Sequence, residues 1–347
     1  MNPHLEPWNI LADAFPASDF ASDQLEFLIG YAILAPSSHN SQPWLFRINA
    51  MDLELFADRR RALPAVDPQQ RELAIACGAA LFNLRIAAEY FGHQYRLELL
   101  PDPQQPDLLA RFHLGLSAET RSEDIILFHA LTQRRTNRKV FMPDPLPSEL
   151  LAALTDAALQ EGAWLRIFED EPNRQAVASL VAEADRVQWA DRHFREELAR
   201  WVRTRPDEAR DGLPVQNLGV KDWLAFLGPA WIRTFDRGDG QAAKDQDIAL
   251  HSPVLALLGT TDDDLNAWLS AGQALQSVLL RARADGVWAS FLNQPIEVES
   301  LRPQLASLSG VEGFPQILLR LGYGPETAPS PRRTVHEVIL KHTGRHA

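Results

Sequence analysis

Apolar positions along this chain fall into stretches of two different periods. Leu25, Leu28, Ile29, Ala32 and Ile33 recur at helical spacing and predict a helix over 22–34, capped by Ser22 or Asp23. The next apolar runs, 44–48 and 53–57, are of strand length and predict a hairpin closed through Asn49 to Asp52. Leu73, Ala76, Cys77, Ala80, Leu81, Leu84 and Ala88 mark a long, largely buried helix over 71–91, ended by Gly92. Strands follow at 95–100 and 111–116, then helices at 122–134 and 148–160 and a strand at 164–168. A polar, tryptophan-bearing helical region extends to Ala249. A strand at 254–258, a helix at 265–284 capped by Asp263 or Asp264, and a strand at 316–322 complete the pattern.

This order of elements occurs twice. Gly78 lies 194 positions before Gly272, and the same offset carries Ala80 to Ala274, Leu81 to Leu275, Gly92 to Gly286 and Pro101 to Pro295. Upstream, Trp44-Leu45-Phe46-Arg47-Ile48 stands beside Trp164-Leu165-Arg166-Ile167-Phe168. The expectation is a duplication, with a first half over 1–120 and a second over 121–347. The second half carries an insertion over 169–252, containing Trp189, Trp201, Trp223 and Trp231. Such an insertion reads either as an aromatic helical subdomain or as a cover over a site.

Two polar signatures are divided between the halves. The first half holds Ala35-Pro36-Ser37-Ser38-His39-Asn40-Ser41-Gln42-Pro43-Trp44, small polar groups held between two prolines. The second half opens with Arg134-Arg135-Thr136-Asn137-Arg138, and a further basic pair, Arg332-Arg333, lies near the C-terminus. Arginine forks match phosphate geometry. Taken alone, each basic group also reads as a solvated helix end or tail. His39 reads as a solvated or capping histidine, and Cys77 as a small packing residue.

Composition narrows the classes. The chain has 347 residues, 46% hydrophobic and 23% charged, with net charge −12. That balance argues against a general nucleic-acid or anionic-membrane binder. A single cysteine leaves no internal disulfide. No basic, apolar leader and no long apolar run of membrane-spanning type is read, so the expected location is the cytoplasm. His336 and His342 are too far apart for two ligands on one helix turn. Gly322-Tyr323-Gly324 lacks the third glycine of a dinucleotide fingerprint, and Asp262 to Asp264 reads as a cap rather than a metal site.

The two signatures together resemble the nitroreductase superfamily of flavin enzymes, and within it the Acg-type members with two fused halves. The 35–44 loop is similar to that superfamily's Ala-Pro-Ser-Ser-x-Asn-x-Gln-Pro-Trp segment, and 134–138 to its Arg-Arg-Ser/Thr-x-Arg segment. Leu319 to Gly324 is similar to its late strand and turn. The resemblance implies an α+β fold: two related halves, each a mostly antiparallel sheet flanked by helices, forming an intrachain pseudo-dimer. It implies FMN held between the halves, with Arg134, Arg135, Thr136 and Arg138 toward phosphate and ring edge, and Arg332 or Arg333 toward phosphate. Pro36, Ser37, Ser38, Asn40 and Gln42 form the opposite wall, and Leu292 and Asn293 lie near the reactive edge of the ring. Both signatures meet at one interface only, so one flavin site is expected intact and the other degenerate. The implied activity is hydride transfer from NAD(P)H through FMN to a small oxidised acceptor, by a monomer. An FMN-storage protein with a covered flavin is the alternative.

Overall fold

The computed structural model describes residues 3–17, 20–117, 119–204, 209–214, 232–233 and 238–340. The first half begins with α1 (Ala21–Ala32), hairpin strands β1 (Trp44–Asn49) and β2 (Asp52–Ala57), and the long helix α2 (Arg71–Tyr90). Strands β3 (His93–Leu99) and β4 (Leu108–Ser117) complete its sheet, in the order β1-β2-β4-β3 and antiparallel throughout. Helices α3 (Ser122–Leu131) and α4 (Ser148–Gln160) lead to β5 (Trp164–Phe168). The inserted segment supplies α5 (Glu171–Ala190), α6 (Arg192–Trp201), the short strands β6 (Val202–Arg203) and β7 (Leu213–Pro214), and α7 (Gly238–Leu250). Then come β8 (Val254–Thr260), α8 (Leu265–Ala284), β9 (Trp288–Phe291), α9 (Gln294–Glu297), α10 (Arg302–Ser309), β10 (Phe314–Gly322) and α11 (Val335–Val338).

The second sheet has the order β5-β8-β10-β9, again antiparallel. Counting strands within each half, this is the order of the first sheet. Most predicted elements form within a few residues of their expected ends. Helix α1 is an exception at its start. It begins at Ala21, and its N-cap is Phe20 rather than Ser22 or Asp23, with no side-chain bond to the first turn. Ser22 instead donates to Asp23. At α8 the capping expectation resolves to Asp264, whose side chain accepts from the Ala267 amide at 2.8 Å. Asp263 pairs with Arg302, and α10, which carries Arg302, has no counterpart in the expected elements.

Helices α2 and α8 pack face to face between the two sheets and cross at the paired glycines. A Cβ on Gly78 would overlap the Leu269 carbonyl oxygen, and one on Gly272 the carbonyl oxygen of Ile75. Ile75 and Leu269 are themselves 194 positions apart. The contact is therefore reciprocal, as at a two-fold interface. Gly92 and Gly286 end these helices with φ of 74° and 79°, a conformation glycine adopts without strain. By length and hydropathy α2 passes for a membrane span, contrary to the sequence expectation. It is instead a core helix, 83% of its most apolar window buried.

The halves are interlocked rather than merely abutted. Leu127, Phe128 and Leu131 of α3 are buried in the core of the first half. Beyond α3, Thr136 bridges Ala289 at the edge of the second sheet, and the Asn137 amide donates to the Ala289 carbonyl at 2.9 Å. In return, the last described residues run back to the first half. Val338 is buried in its core, Ile339 bridges Phe46 in parallel, and the Leu340 amide donates to the Phe46 carbonyl at 2.7 Å.

The inserted helices dock on both halves. Helix α5 packs on the second sheet through Val177 and Val181 against Leu255, Leu257 and Leu318. Trp189, Phe194 and Leu198 cluster with Leu63 and Val66 of the first half. The Glu197 carboxylate accepts from the amides of Ala65 and Val66, both at 3.0 Å. Trp201 flanks this cluster, while Trp223 and Trp231 lie outside the described residues.

Candidate functional site

A cavity of about 240 Å³ opens where the two halves and the inserted helices meet. Pro36, Ser37, Ser38 and His39 come to it from the first half's polar loop, and Thr136 and Arg138 from the second half's arginine segment. Glu72, Ile75 and Ala76 from the start of α2 also line it, with Leu275 of α8 and Ile317 of β10. Phe291 and Asn293 stand at the turn from β9 to α9. The inserted segment adds Trp189, Phe194 and Leu198, among others. So Trp189 serves both readings of the insertion: it is core to the docked helices and a wall of the cavity.

The loop over 36–43 is held in an unusual backbone shape. His39, Asn40 and Gln42 have φ of 53°, 54° and 53°, in the left-handed region uncommon for residues with a side chain. The surrounding bonds hold it there. The Gln42 amide donates to Ser37 Oγ at 2.9 Å, and the Ser38 hydroxyl donates to Glu72. Asn40 Nδ2 donates to the carbonyls of Gly212 and Pro331, and its Oδ1 accepts from Arg332 at 2.8 Å. Gln42 Nε2 donates to the Arg210 carbonyl at 2.7 Å, and its Oε1 accepts from the Arg333 amide at 2.8 Å. Asn40 and Gln42 thus tie the loop to the inserted segment and the C-terminal tail, and neither lines the cavity. His39 departs from the solvated reading. Burial pushes its imidazole down to about 4, Arg138 adding to the effect, and its Nε2 is buried with no partner among the described residues.

The arginines divide by what they hold. Arg333 donates to the Gln42 and Glu337 carbonyls. Arg332 is buried, donates to the carbonyls of Leu34, Ala35 and Pro331, and lies over Trp8. Arg135 lies over the same indole at 3.8 Å. Arg134 is buried and donates to the Leu34 carbonyl at 3.0 Å. Both Arg134 and Arg332 keep a buried Nε with no partner among the described residues. Burial and the neighbouring arginines push Arg134 down to about 9 and hold Arg332 well below the usual range. Cations crowded like this favour an added anion. Arg138 differs from them all. It lines the cavity and makes no hydrogen bond or ion pair with any described residue. Leu292 is buried, its amide donating to the Leu318 carbonyl, and does not line the cavity. Asn293 does line it, joining Glu72 (3.2 Å) to the Leu318 amide (3.0 Å).

Four carboxyl groups of the wall had no place among the sequence candidates: Glu72, Asp185, Asp245 and Glu297. Glu72 accepts from Ser38, Asn293 and Arg71. Burial, then the Glu72 charge, holds Glu297 well above the usual carboxylate range. Burial, then the Asp245 charge, pushes Asp185 up to about 8. In the unfolded chain Asp185 loses its proton near 3.8, while the folded protein keeps it to about 8. The folded state therefore holds the extra proton, and this group removes stability as pH rises through that window. Asp185→Asn is expected to gain stability relative to the parent from pH 5 to pH 8. Urea midpoints at the two values test this, and a difference that does not change with pH would contradict it.

The α+β fold and a site assembled across its two halves define the class, and the comparisons agree. The model of the nitroreductase family matches residues 131–323. Rv3131 of Mycobacterium tuberculosis, which carries a provisional NAD(P)H nitroreductase name, is 31% identical over 332 residues, covering 92% of this chain and 91% of its own. Acg of the same organism, provisionally named in the same way, is 29% identical over 332 residues, covering 93% and 97%. The chain belongs to the nitroreductase family. Among solved structures, the FMN-dependent nitroreductase NfnB from Mycobacterium smegmatis in complex with NADPH is similar at 17% identity and TM-score 0.39, covering 64% of this chain and 96% of that one.

Proposed function

We propose that this protein binds FMN between its two halves and acts as an NAD(P)H-dependent oxidoreductase on a small oxidised acceptor. The observation that carries the reading is Arg138, a cation in the cavity wall that makes no hydrogen bond or ion pair with any described residue, beside Thr136 and the Pro36–Ser38 loop. Arg134 and Arg332 do not line the cavity, but each keeps a buried Nε with no partner among the described residues, and the phosphate end of the same molecule is the anion proposed to reach them. FMN, when bound, supplies the hydride chemistry. The chain's own residues bind and orient. Arg138 offsets negative charge on the bound ring. His39, neutral at pH 7, adds no competing charge. Ile75, Leu275, Phe291 and Ile317 exclude water from one side. Each half contributes one part of the site, so a single chain suffices, and the two halves are read as a fused duplication.

The names of the relatives support NAD(P)H as the reductant. Storage of FMN is the second reading, because the inserted helices wall the cavity. One experiment separates the readings. The purified protein is expected to carry FMN, to lose its visible absorption on adding NADPH or NADH, and to regain it with a quinone or nitroaromatic. Retained FMN that neither nucleotide bleaches would favour storage. A colourless protein that ignores added FMN would end both.

A further inference from the structure

The cavity wall supplied by the inserted helices is acidic, and the reading above makes no use of it. Asp185 on α5 and Asp245 on α7 both line the cavity. One amide nitrogen of Gln294, at the start of α9, donates to both, at 3.3 Å to Asp185 Oδ1 and 3.0 Å to Asp245 Oδ2. Gln241 lies 2.9 Å from that same Asp245 oxygen as a second donor, through its own contact with Asp245. The other Asp185 oxygen is buried with no hydrogen-bond partner among the described residues, and the shared Gln294 nitrogen sets the two carboxyls side by side. Two carboxyls this close hold a proton between them unless a cation joins them.

The protein's own cations only partly serve this pair. Arg320 and Lys244 attract Asp245, and Arg186 attracts Asp185. Arg320 donates through Nη2 to the carbonyls of Asn137 and Lys139, its Nη1 keeping no partner among the described residues, and Arg186 pairs with Asp239. Arg138 also attracts Asp245, but it is the residue assigned above to the flavin. Among the described residues, four carboxyls and one guanidinium line the cavity. Trp189, Phe194 and Phe291 stand among them and offer flat apolar surface.

We propose that Asp185 and Asp245 set the specificity of this cavity for aromatic cations, taking an amidinium or ammonium group carried on a planar ring and disfavouring carboxylates. This rests on the oxidoreductase reading only in that the cation-bearing molecule is then the acceptor. The ligand's charge takes the place of the shared proton, so binding releases about one proton and tightens as pH rises toward 8. The aromatic wall holds the ring, and cation–π contact with Trp189 adds to the preference.

Three probes of one shape and different charge test it: benzamidine, benzamide and benzoate, titrated into the full chain with and without FMN. Binding is read by tryptophan emission, and proton release by calorimetry in two buffers of different ionisation enthalpy. Benzamidine is expected to bind at least tenfold more tightly than benzamide, with benzoate weakest. Asp185→Asn with Asp245→Asn is expected to erase the difference. Asp185→Asn alone, whose amide can donate to Asp245, keeps the fold and is expected to abolish proton release. Benzamidine no tighter than benzamide, or a preference that survives the double substitution, overturns the inference. Charge discrimination in a chain that takes no FMN would sustain the inference while ending the oxidoreductase reading. FMN binding without discrimination would do the reverse.

Discussion

Gly272→Ala is expected to destabilise the protein by about 3 kcal/mol, at the upper end of what a single added methyl causes in a packed core. The reason is the nature of what it meets. The new Cβ would overlap the Ile75 carbonyl and lie 2.8 Å from the Gly78 Cα, and backbone cannot rotate away as a side chain can. Relief requires α2 and α8 to separate, and these are the helices that join the two sheets. Ile75 also lines the cavity, so the same displacement is expected to weaken FMN binding. Gly286→Ala is the control. It has open space around the added methyl and only the strain of its φ of 79°, which corresponds to about 1–2 kcal/mol. Denaturant unfolding of the three proteins tests the ordering. A Gly272→Ala protein as stable as Gly286→Ala would mean that the helix crossing is not the close contact described.

Arg138→Gln is expected to weaken FMN binding by about tenfold to a hundredfold and to leave stability within about 0.5 kcal/mol. The first figure follows from losing a charge-assisted hydrogen bond of about 1.5–3 kcal/mol. The second follows from the absence of any hydrogen bond or ion pair with a described residue, the attraction to Asp245 acting without a direct contact. Arg332→Gln makes the comparison informative. It removes donors to Asn40 and to the carbonyls of Leu34, Ala35 and Pro331, so it should weaken both FMN binding and the fold. Fluorescence titration of FMN and urea unfolding of each variant separate the two roles. Equal loss of stability in both variants would mean that Arg138 has a structural bond in solution.

Much of this architecture could be read from the chain because periodicity reports burial. The 3.6-residue pattern of α2 and α8 and the short apolar strands gave elements close to those observed. The glycines at positions 78 and 272 pointed to a repeat, and in the structure each admits backbone from the other half. The meeting of Ser37 and Ser38 with Thr136 and Arg138 was legible through the division of motifs between the halves. Side-chain direction was not legible. Asn40 and Gln42 sit in the same motif as Ser37, yet the left-handed turns at 39, 40 and 42 carry them away from the cavity. Asn40 meets Arg332 at a separation of 292 positions, and no local pattern reports such a pair. The four carboxyls were missed for the same reason. Glu72 reads in sequence as an acid in the first turn of a helix, where acids are common. Only the fold brings Glu297 beside it and Asp245 beside Asp185.

The crossing of chain segments between the halves has a consequence for how the molecule is made. The edge strand β1 receives its bridge at Phe46 from Ile339, 293 positions later in the chain. The polar loop next to it is tied by Arg332 and Arg333, which are synthesised almost as late. On a ribosome the first half therefore emerges with one sheet edge bare and the cavity-facing loop without its ties to Arg332 and Arg333, and it stays so until residues 332–340 have been made. The first half is not a finished module that waits for a second. Its open edge is exposed to mispairing during synthesis, and Ile339 and Leu340 act as the closure that retires it.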